Sequence, residues 1–404
     1  AGPASAVTVD QGHAAWERFV ARAVDLRRDL HRDPELTWAE HDTARRLRAE
    51  LDALGIRWRA CADTGTVATL AADATGAHIA LRADIDALPI HEDTQLPWRS
   101  RRPGCMHACG HDGHAATLFA AAQWLRQVED RLPGPVTLLF QPAEEGGHGA
   151  QRMIEDGALD SVDAVFGWHN WPAITRGKAV CPDGVVMAGN GTYRLTLRGA
   201  GGHASQPELC RDPVLAAAAV VQALQQIVSR RLPAQAATVL SVTSIDARSN
   251  PTVIPDDAII EGSFRVAEDA DREQLTALID AIATAAAAAH GVACDVEVFP
   301  RYGPTINHAG EAGRYREALT AEFGAGALCA ETRLPIMASE DFSYYLRERP
   351  GAFALVGAGD GEPQHAVPCH NARYDFNDTL IAPVARVYAR LAGAPLPGGA
   401  GAQG

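Results

Sequence analysis

Within nine residues, Met106-His107-Ala108-Cys109-Gly110-His111-Asp112-Gly113-His114, the chain sets one thiol and three imidazoles. So dense a group of metal-binding side chains reads as the first half of a metal site, and it constrains the fold because the remaining donors stand far away in sequence. They are Glu144-Glu145, His169 in Gly-Trp-His-Asn-Trp, and His370 in Cys-His-Asn, each bounded by Gly, Pro or Asn. A fold that serves this set must return three remote segments to one place. The donor count then suffices for two ions, with one carboxylate left over for proton transfer.

The pattern of elements shows how that return is made. Asp25 to Leu54 reads as an amphipathic helix broken at Asp33-Pro34, with Leu26, Leu30, Leu47 and Leu51 as core positions. Short apolar runs at His78 to Arg82, Val136 to Phe140 and Ala164 to Gly167 alternate with helical stretches after His111 and around Ala150 to Asp156, which predicts an α/β, largely parallel sheet. The middle of the chain differs. Strands at Thr192 to Leu197, Ala237 to Asp246, Ala258 to Val266 and Cys294 to Phe299, with helices at Pro213 to Arg230 and Asp271 to His290, give the order βαββαβ of a ferredoxin-like unit. Because His370 follows this unit and the other donors precede it, the unit is read as an insertion. The expected division is 12–187 with 303–395 for the α/β domain, 188–302 for the inserted domain, and a Gly/Ala/Pro-rich, disordered tail at 396–404.

Bulk properties remove several classes. A chain of 404 residues, 47% hydrophobic, can bury a large core and favours two domains. A formal charge of −14 without any Lys/Arg-rich run argues against nucleic acid and anionic lipid as partners. No apolar stretch reaches the roughly 18 residues of a membrane span. No basic-then-apolar leader pattern is visible near Ala1, so the cytoplasm is the default expectation. The eight cysteines are scattered through the chain and read as reduced thiols, one of them a metal ligand.

Cys109 and His111 stand two apart around Gly110, a spacing that points both to one side of an extended segment. A thiolate with an imidazole suits zinc or another late first-row divalent ion. A buried Cys beside a helix-capping His is the alternative. Glu144-Glu145 follows an apolar strand and Gln141-Pro142, so one carboxylate can bind metal while its neighbour acts as general base; a solvated acidic turn is the alternative. His169 and His370 are weak signals singly. Their convergence with the others at strand ends carries the reading, since open α/β sheets gather ligands there.

Eight motifs in order resemble a known family: Leu30-His31-x-x-Pro34-Glu35, Arg82-Ala-Asp84-Ile-Asp86-Ala-Leu-Pro89, Met106 to His111, Gln141-Pro-Ala-Glu-Glu-Gly146, Gly201-Gly-His203-Ala-Ser, Val253-Ile-Pro-Asp256, Ser339-Glu-Asp-Phe342 and His370-Asn. Together they are similar to the amidohydrolase branch of the aminoacylase/carboxypeptidase metallopeptidases, which includes hippurate hydrolases, N-acyl-amino-acid amidohydrolases and indoleacetyl-amino-acid hydrolases. The resemblance implies a metal-dependent amidohydrolase that splits N-acyl or N-aroyl amino acids. It also implies two divalent ions per subunit, zinc or manganese with cobalt or nickel permitted, held by Cys109, His111, Glu145, His169 and His370, with the Cys109 thiolate bridging. Glu144 matches the general acid/base. His203 matches a residue of the inserted lid/dimerisation domain that reaches a neighbouring subunit's site in a homodimer, and Arg265 matches a position that helps hold the substrate carboxylate. Asp84, Asp86 and Asp112 are assigned to orienting the ligands.

Three positions depart from that pattern. Thr252 stands where Asn is usual, leaving open whether Asn250 supplies the lost contact; Glu208 stands where His is frequent; His148 replaces a common Gly. Two rival readings remain at this stage. The same centre fits a dipeptidase or aminoacyl-carboxypeptidase, and a catalytically silent metal or ligand binder is the remote alternative.

Overall fold

The computed structural model describes residues 9–397. The chain forms two compact units, Ala1–Gly184 with Ile306–Thr332 and Tyr344–Gly404, and Val185–Thr305 with Arg333–Ser343. The expected tail at 396–404 lies outside the described residues apart from Leu396 and Pro397.

The larger unit is built on a seven-stranded sheet. Its order is Trp58–Cys61, Gly65–Leu70, Val136–Gln141, Ile79–Asp84, Ala164–Thr175, Gly351–Gly359 and Ala179–Val180. The four strands from Val136–Gln141 to Gly351–Gly359 run parallel, and antiparallel strands finish both edges. Ile79–Asp84 and Val136–Gln141 are buried along their whole length, which is why they read as continuous apolar runs with no alternation.

Against this sheet packs the helix His111–Gln127, buried from His111 to Leu125. Its alanines and Gly113 permit close approach, since a Cβ on Gly113 would fall on the Phe376 ring. The first helix runs Val9–Arg32, earlier than expected from the sequence, because Trp16, Ala23, Leu26 and Leu30 continue one buried stripe toward the N-terminus. It stops before Pro34, and a second helix, His41–Ala53, buries Leu47 and Leu51. Among the described residues no helix is long and apolar enough to cross a membrane.

The smaller unit has the ferredoxin-like order. Its antiparallel sheet runs Thr238–Asp246, Asp257–Val266, Gly189–Arg198, Ala293–Pro300. Helices Pro213–Leu224 and Asp269–Ala288 cover it through Val220, Leu224, Leu275 and Ile279, which meet Leu195, Ile260 and Phe264. Asp212 caps the first of these helices by accepting from the Val214 and Leu215 amides, with Pro213 at the first helical position. Arg333–Ser343, assigned from sequence to the larger domain, belongs to this unit. The Ile336 amide donates to Val186 O at 3.0 Å and Ile336 O accepts from the Ala188 amide at 2.8 Å, a backbone ladder that no side-chain pattern announces.

Candidate metal centre

Strand direction assembles this site, all of it within the larger unit. Parallel strands present their carboxyl ends on one edge. Ile79–Asp84 delivers Asp84 and then Asp86, and Val136–Gln141 leads through Pro142 to Glu144 and Glu145. Ala164–Thr175 pairs with Ile79–Asp84 only as far as Phe166 opposite Leu81, so His169 stands just beyond the point where the two strands part. Helix His111–Gln127 begins at this edge, entered through Gly110 at φ 93°. His370 is held in a left-handed conformation, φ 67°, and its amide donates to Ala108 O at 2.7 Å, which ties the last donor to the first segment.

The donors converge as follows. Cys109 Sγ lies 3.3 Å from His169 Nε2, and His370 Nε2 lies 3.3 Å from Glu145 Oε1. His111 Nε2 lies 3.7 Å from Glu145 Oε1 and 3.8 Å from Glu144 Oε2. Cys109/His111/His169 and Cys109/Glu145/His370 each bring three ligand atoms within 4.8 Å of one another, and Cys109 is common to both groups.

The hydrogen bonds behind these atoms test whether cations fit. His169 Nδ1 donates to Asn170 O at 2.6 Å, which leaves the Nε2 lone pair facing the sulfur. His111 Nδ1 donates to Asp86 Oδ1 at 3.2 Å, which leaves Nε2 facing carboxylates, and neither it nor the buried Glu145 Oε1 has a hydrogen-bond partner. A thiol, imidazoles and carboxylates clustered in a buried pocket, with His111 Nε2 and Glu145 Oε1 lacking hydrogen-bond partners, are donors that a divalent ion would satisfy as their protons leave. The donor set therefore fits divalent ions. A further group, Asp84/His111/His114, does not offer three free donors: His114 donates to Asp84 at 2.7 Å and accepts from the Asn170 amide at 3.1 Å, so both its nitrogens are used.

Asp86 is the hub. It orients His111, accepts the Glu144 and Glu145 amides at 3.0 and 2.9 Å, and accepts the Thr37 hydroxyl at 2.9 Å. Asp84 reaches His114, Arg82 and, at 3.3 Å, His111 Nε2. Asp112 orients no ligand. It pairs instead with Arg27 at 3.0 Å and His31 at 2.9 Å in a buried network, because the helix turns its side chain to the face opposite the donors. We expect Asp86→Asn to weaken metal affinity about 10–100-fold, measured by competition with a chelating dye. Unchanged affinity would remove Asp86 from the support of the centre.

Charge states follow from the same contacts. Burial alone would lower the His111 pKa, but Asp84 and Asp86 outweigh it and raise it well above its usual value. Cys369, burial and Glu145 hold the Cys109 thiol well above its ordinary range. Burial and His114 keep His169 neutral. A cation entering this pocket must displace protons from Cys109 and His111 but none from His169. Affinity should therefore fall as pH falls through the neutral range, by up to about tenfold per pH unit for each proton displaced. Calorimetric proton release on zinc uptake checks this, and pH-independent affinity would contradict it.

Sequence reasoning passed over four groups here. Asn170 accepts from Tyr374 at 2.6 Å and donates to Cys109 O at 2.9 Å, which locks the thiol segment. His114, three residues after His111 and so on the same helix face, was the one with a readable signal. Cys369 sits beside Cys109, its thiol 3.8 Å from Cys109 O. Glu40 belongs to a clamp on the Glu144-Glu145 loop: it accepts the Ala143 amide at 2.8 Å, Trp38 donates to Gly147 O at 3.1 Å, and burial with Asp86 nearby raises the Glu40 carboxyl to about 7. His148, one of the departures, bonds the Tyr344 hydroxyl at 2.7 Å.

The other sequence candidates belong to the smaller unit. His203 is exposed and accepts the Ser205 amide at Nδ1, 3.1 Å, which leaves Nε2 as the donor. Asn250 Oδ1 accepts from the Thr252 amide and hydroxyl at 3.1 and 3.0 Å, and Thr252 O accepts the Ala204 amide, so these three candidates share one loop cluster. Arg265 is half-buried and donates to Ser339 Oγ at 3.3 Å; burial and Arg301 lower its pKa.

The family model for peptidase family M20/M25/M40 matches residues 80–394. The chain belongs to the M20/M25/M40 peptidase family. It is 40% identical over 359 residues to N-acetyl-L-cysteine deacetylase of Bacillus subtilis strain 168, covering 89% of this chain and 84% of that protein. It is 36% identical over 370 residues to hippurate hydrolase of Campylobacter jejuni, covering 91% and 94% respectively. These names are those of the family's amidohydrolase branch. A crystal structure of the Bacillus subtilis YxeP protein, described as a dinuclear metal-binding peptidase of the M20 family, superposes with a TM-score of 0.81 at 31% identity, over 93% of this chain and 98% of that one.

Proposed function

We propose that this M20 enzyme hydrolyses the amide bond of N-acyl or N-aroyl amino acids, releasing a carboxylic acid and a free amino acid. The observation that carries the reading is the pair of donor triads sharing Cys109, with Glu144 beside them. In this reading Cys109, His111, Glu145, His169 and His370 would hold two divalent ions, zinc or manganese with cobalt or nickel as alternatives, Cys109 being common to both donor groups. When bound, such ions supply Lewis-acid polarisation of a carbonyl and acidify water. Glu144, 6% exposed, takes the proton from the attacking water and passes it to the departing amine nitrogen. Asp86 holds the Glu144 backbone, so the base is placed by the same carboxylate that orients His111.

His203, with its Nε2 donor free, is assigned to the carbonyl oxygen of a substrate bound in a second copy, which makes the working form a homodimer. Arg265 is assigned to the substrate carboxylate, which a guanidinium matches in bidentate geometry, and Thr252 and Asn250, in the loop cluster of His203, are assigned to the substrate's polar groups. All eight cysteines are free thiols, in keeping with a cytoplasmic enzyme. The relatives named for N-acetylcysteine and hippurate support small acylated amino acids as the substrate class.

The test is release of free amino acid from a panel of N-acetyl and N-benzoyl amino acids, after chelation and again after zinc, manganese, cobalt or nickel is added. We expect turnover to vanish on chelation and return with metal. Inactivity on the panel with metal verified as bound, and turnover of free-amine dipeptides, would replace this reading with the dipeptidase one.

A further inference from the structure

We propose that Cys109 and Cys369 are a redox pair: hydroperoxide joins them in a disulfide when the centre is empty of metal, and the bond withholds the sulfur from the centre until a thiol reductant releases it. The inference rests on Cys109 being a ligand, but it adds a second residue that no metal role calls for.

Three observations place the pair. The His370 amide bonds Ala108 O at 2.7 Å, so residues 108–109 and 369–370 run against each other. The Cys369 thiol lies 3.8 Å from Cys109 O and raises the Cys109 pKa through a direct side-chain contact, so the two cysteines are immediate neighbours. The nearest thiol in sequence, Cys105, is turned away toward Pro34 O at 3.4 Å. Exposure then sets the order of events. Cys369 is half-buried and reachable, whereas Cys109 is 8% exposed.

The chemistry balances with hydrogen peroxide as oxidant. The Cys369 sulfur attacks one peroxide oxygen, the O–O bond breaks, and Cys369 becomes a sulfenic acid as one water leaves. The Cys109 sulfur then displaces the sulfenic hydroxyl, forming the S–S bond and a second water. Two electrons, one from each sulfur, have reduced one peroxide. Occupancy by metal blocks the second step, because the Cys109 lone pairs are then engaged. A sulfur held by Cys369 can no longer meet His169 Nε2, now 3.3 Å away, and both triads lose their common member. The disulfide also spares Cys109 the sulfinic and sulfonic steps that no thiol reverses.

The experiment uses the full-length, chelated protein, treated with hydrogen peroxide, alkylated, digested without reductant and mapped by mass spectrometry. The expected result is a linked pair of peptides containing Cys109 and Cys369, together with zinc binding weakened by more than about tenfold. Dithiothreitol should restore both. Cys369→Ala, with Cys369→Val as a second variant, should bind zinc at least as well as the unaltered protein before oxidation but fail to recover afterwards, its Cys109 peptide gaining two or three oxygens. Absence of the linked peptide, linkage of Cys109 to another cysteine, or full recovery of both variants would overturn the pair. A linked peptide that leaves zinc binding intact would instead overturn the ligand role of Cys109, so the two failures are told apart.

Discussion

Glu144→Gln should lower turnover of an N-acyl amino acid by about 10²–10⁴-fold while metal content stays unchanged. The substitution is isosteric and removes only the capacity to accept a proton. The local backbone does not depend on the carboxylate, because the Glu144 amide is held by Asp86 Oδ1 at 3.0 Å and the next amide by Asp86 Oδ2 at 2.9 Å. Glu145, the adjacent carboxylate, is not placed to take over: its Oε1 faces His370 and His111, the side chains proposed to share an ion with it. Full activity with metals bound would end the general-base assignment. A variant that lost its metals as well would show that Glu144 is a ligand, and the roles of the two glutamates would have to be exchanged.

Gly110→Ala should damage the support of the centre through backbone strain and steric contact at once. At φ 93° a non-glycine residue costs about 1–3 kcal/mol in backbone strain alone. The new Cβ would also lie within 2.6 Å of Tyr374 Oη and closer still to Asn170 Nδ2. Neither can yield cheaply, since the two bond each other and Asn170 also holds Cys109 O and meets His114. Displacing Asn170 moves the residue next to His169 and frees the Cys109 carbonyl, so both partners of the 3.3 Å sulfur–imidazole approach lose their supports. The expected outcome is a lower melting temperature in metal-free protein and metal affinity reduced more than about tenfold. Thermal denaturation and a metal titration check the two parts separately; values equal to the unaltered protein would mean that the cradle is softer than its contacts imply.

The donors were legible because buried parallel strands are written in uninterrupted apolar letters, so the polar residues that end them stand out. Glu144-Glu145 after Val136–Gln141 is the clearest instance. The βαββαβ unit was legible for the complementary reason: Gly189–Arg198 and Asp257–Val266 are buried on alternate residues, and the sequence alternates with them. The supports were not legible. Asn170 is one more polar residue after a histidine until Tyr374, 204 positions away, is seen to donate to it. Glu40 reads as an ordinary helix-start acid, and its bond to the Ala143 amide spans 103 positions. Asp112 sits beside a donor in sequence but turns to Arg27, since neighbours on a helix do not share a face. The Arg333–Ser343 segment joins its unit by backbone hydrogen bonds, which any sequence can make.

The tie between His370 and Ala108 has a consequence for synthesis. About 200 residues, including the whole ferredoxin-like unit, separate His169 from His370. At roughly 5–20 residues per second, the ribosome exposes four of the five donors for some 10–40 s before the fifth exists. If the proposed ligand set holds, a nascent chain would carry an incomplete chelator, with Cys109, His111 and His169 in place for one ion while the second position would wait for the strand Gly351–Gly359 to dock and bring His370 home. Loading of the two positions should be separable in time during translation, and the later one becomes a natural reporter that the last strand of the sheet has found its place.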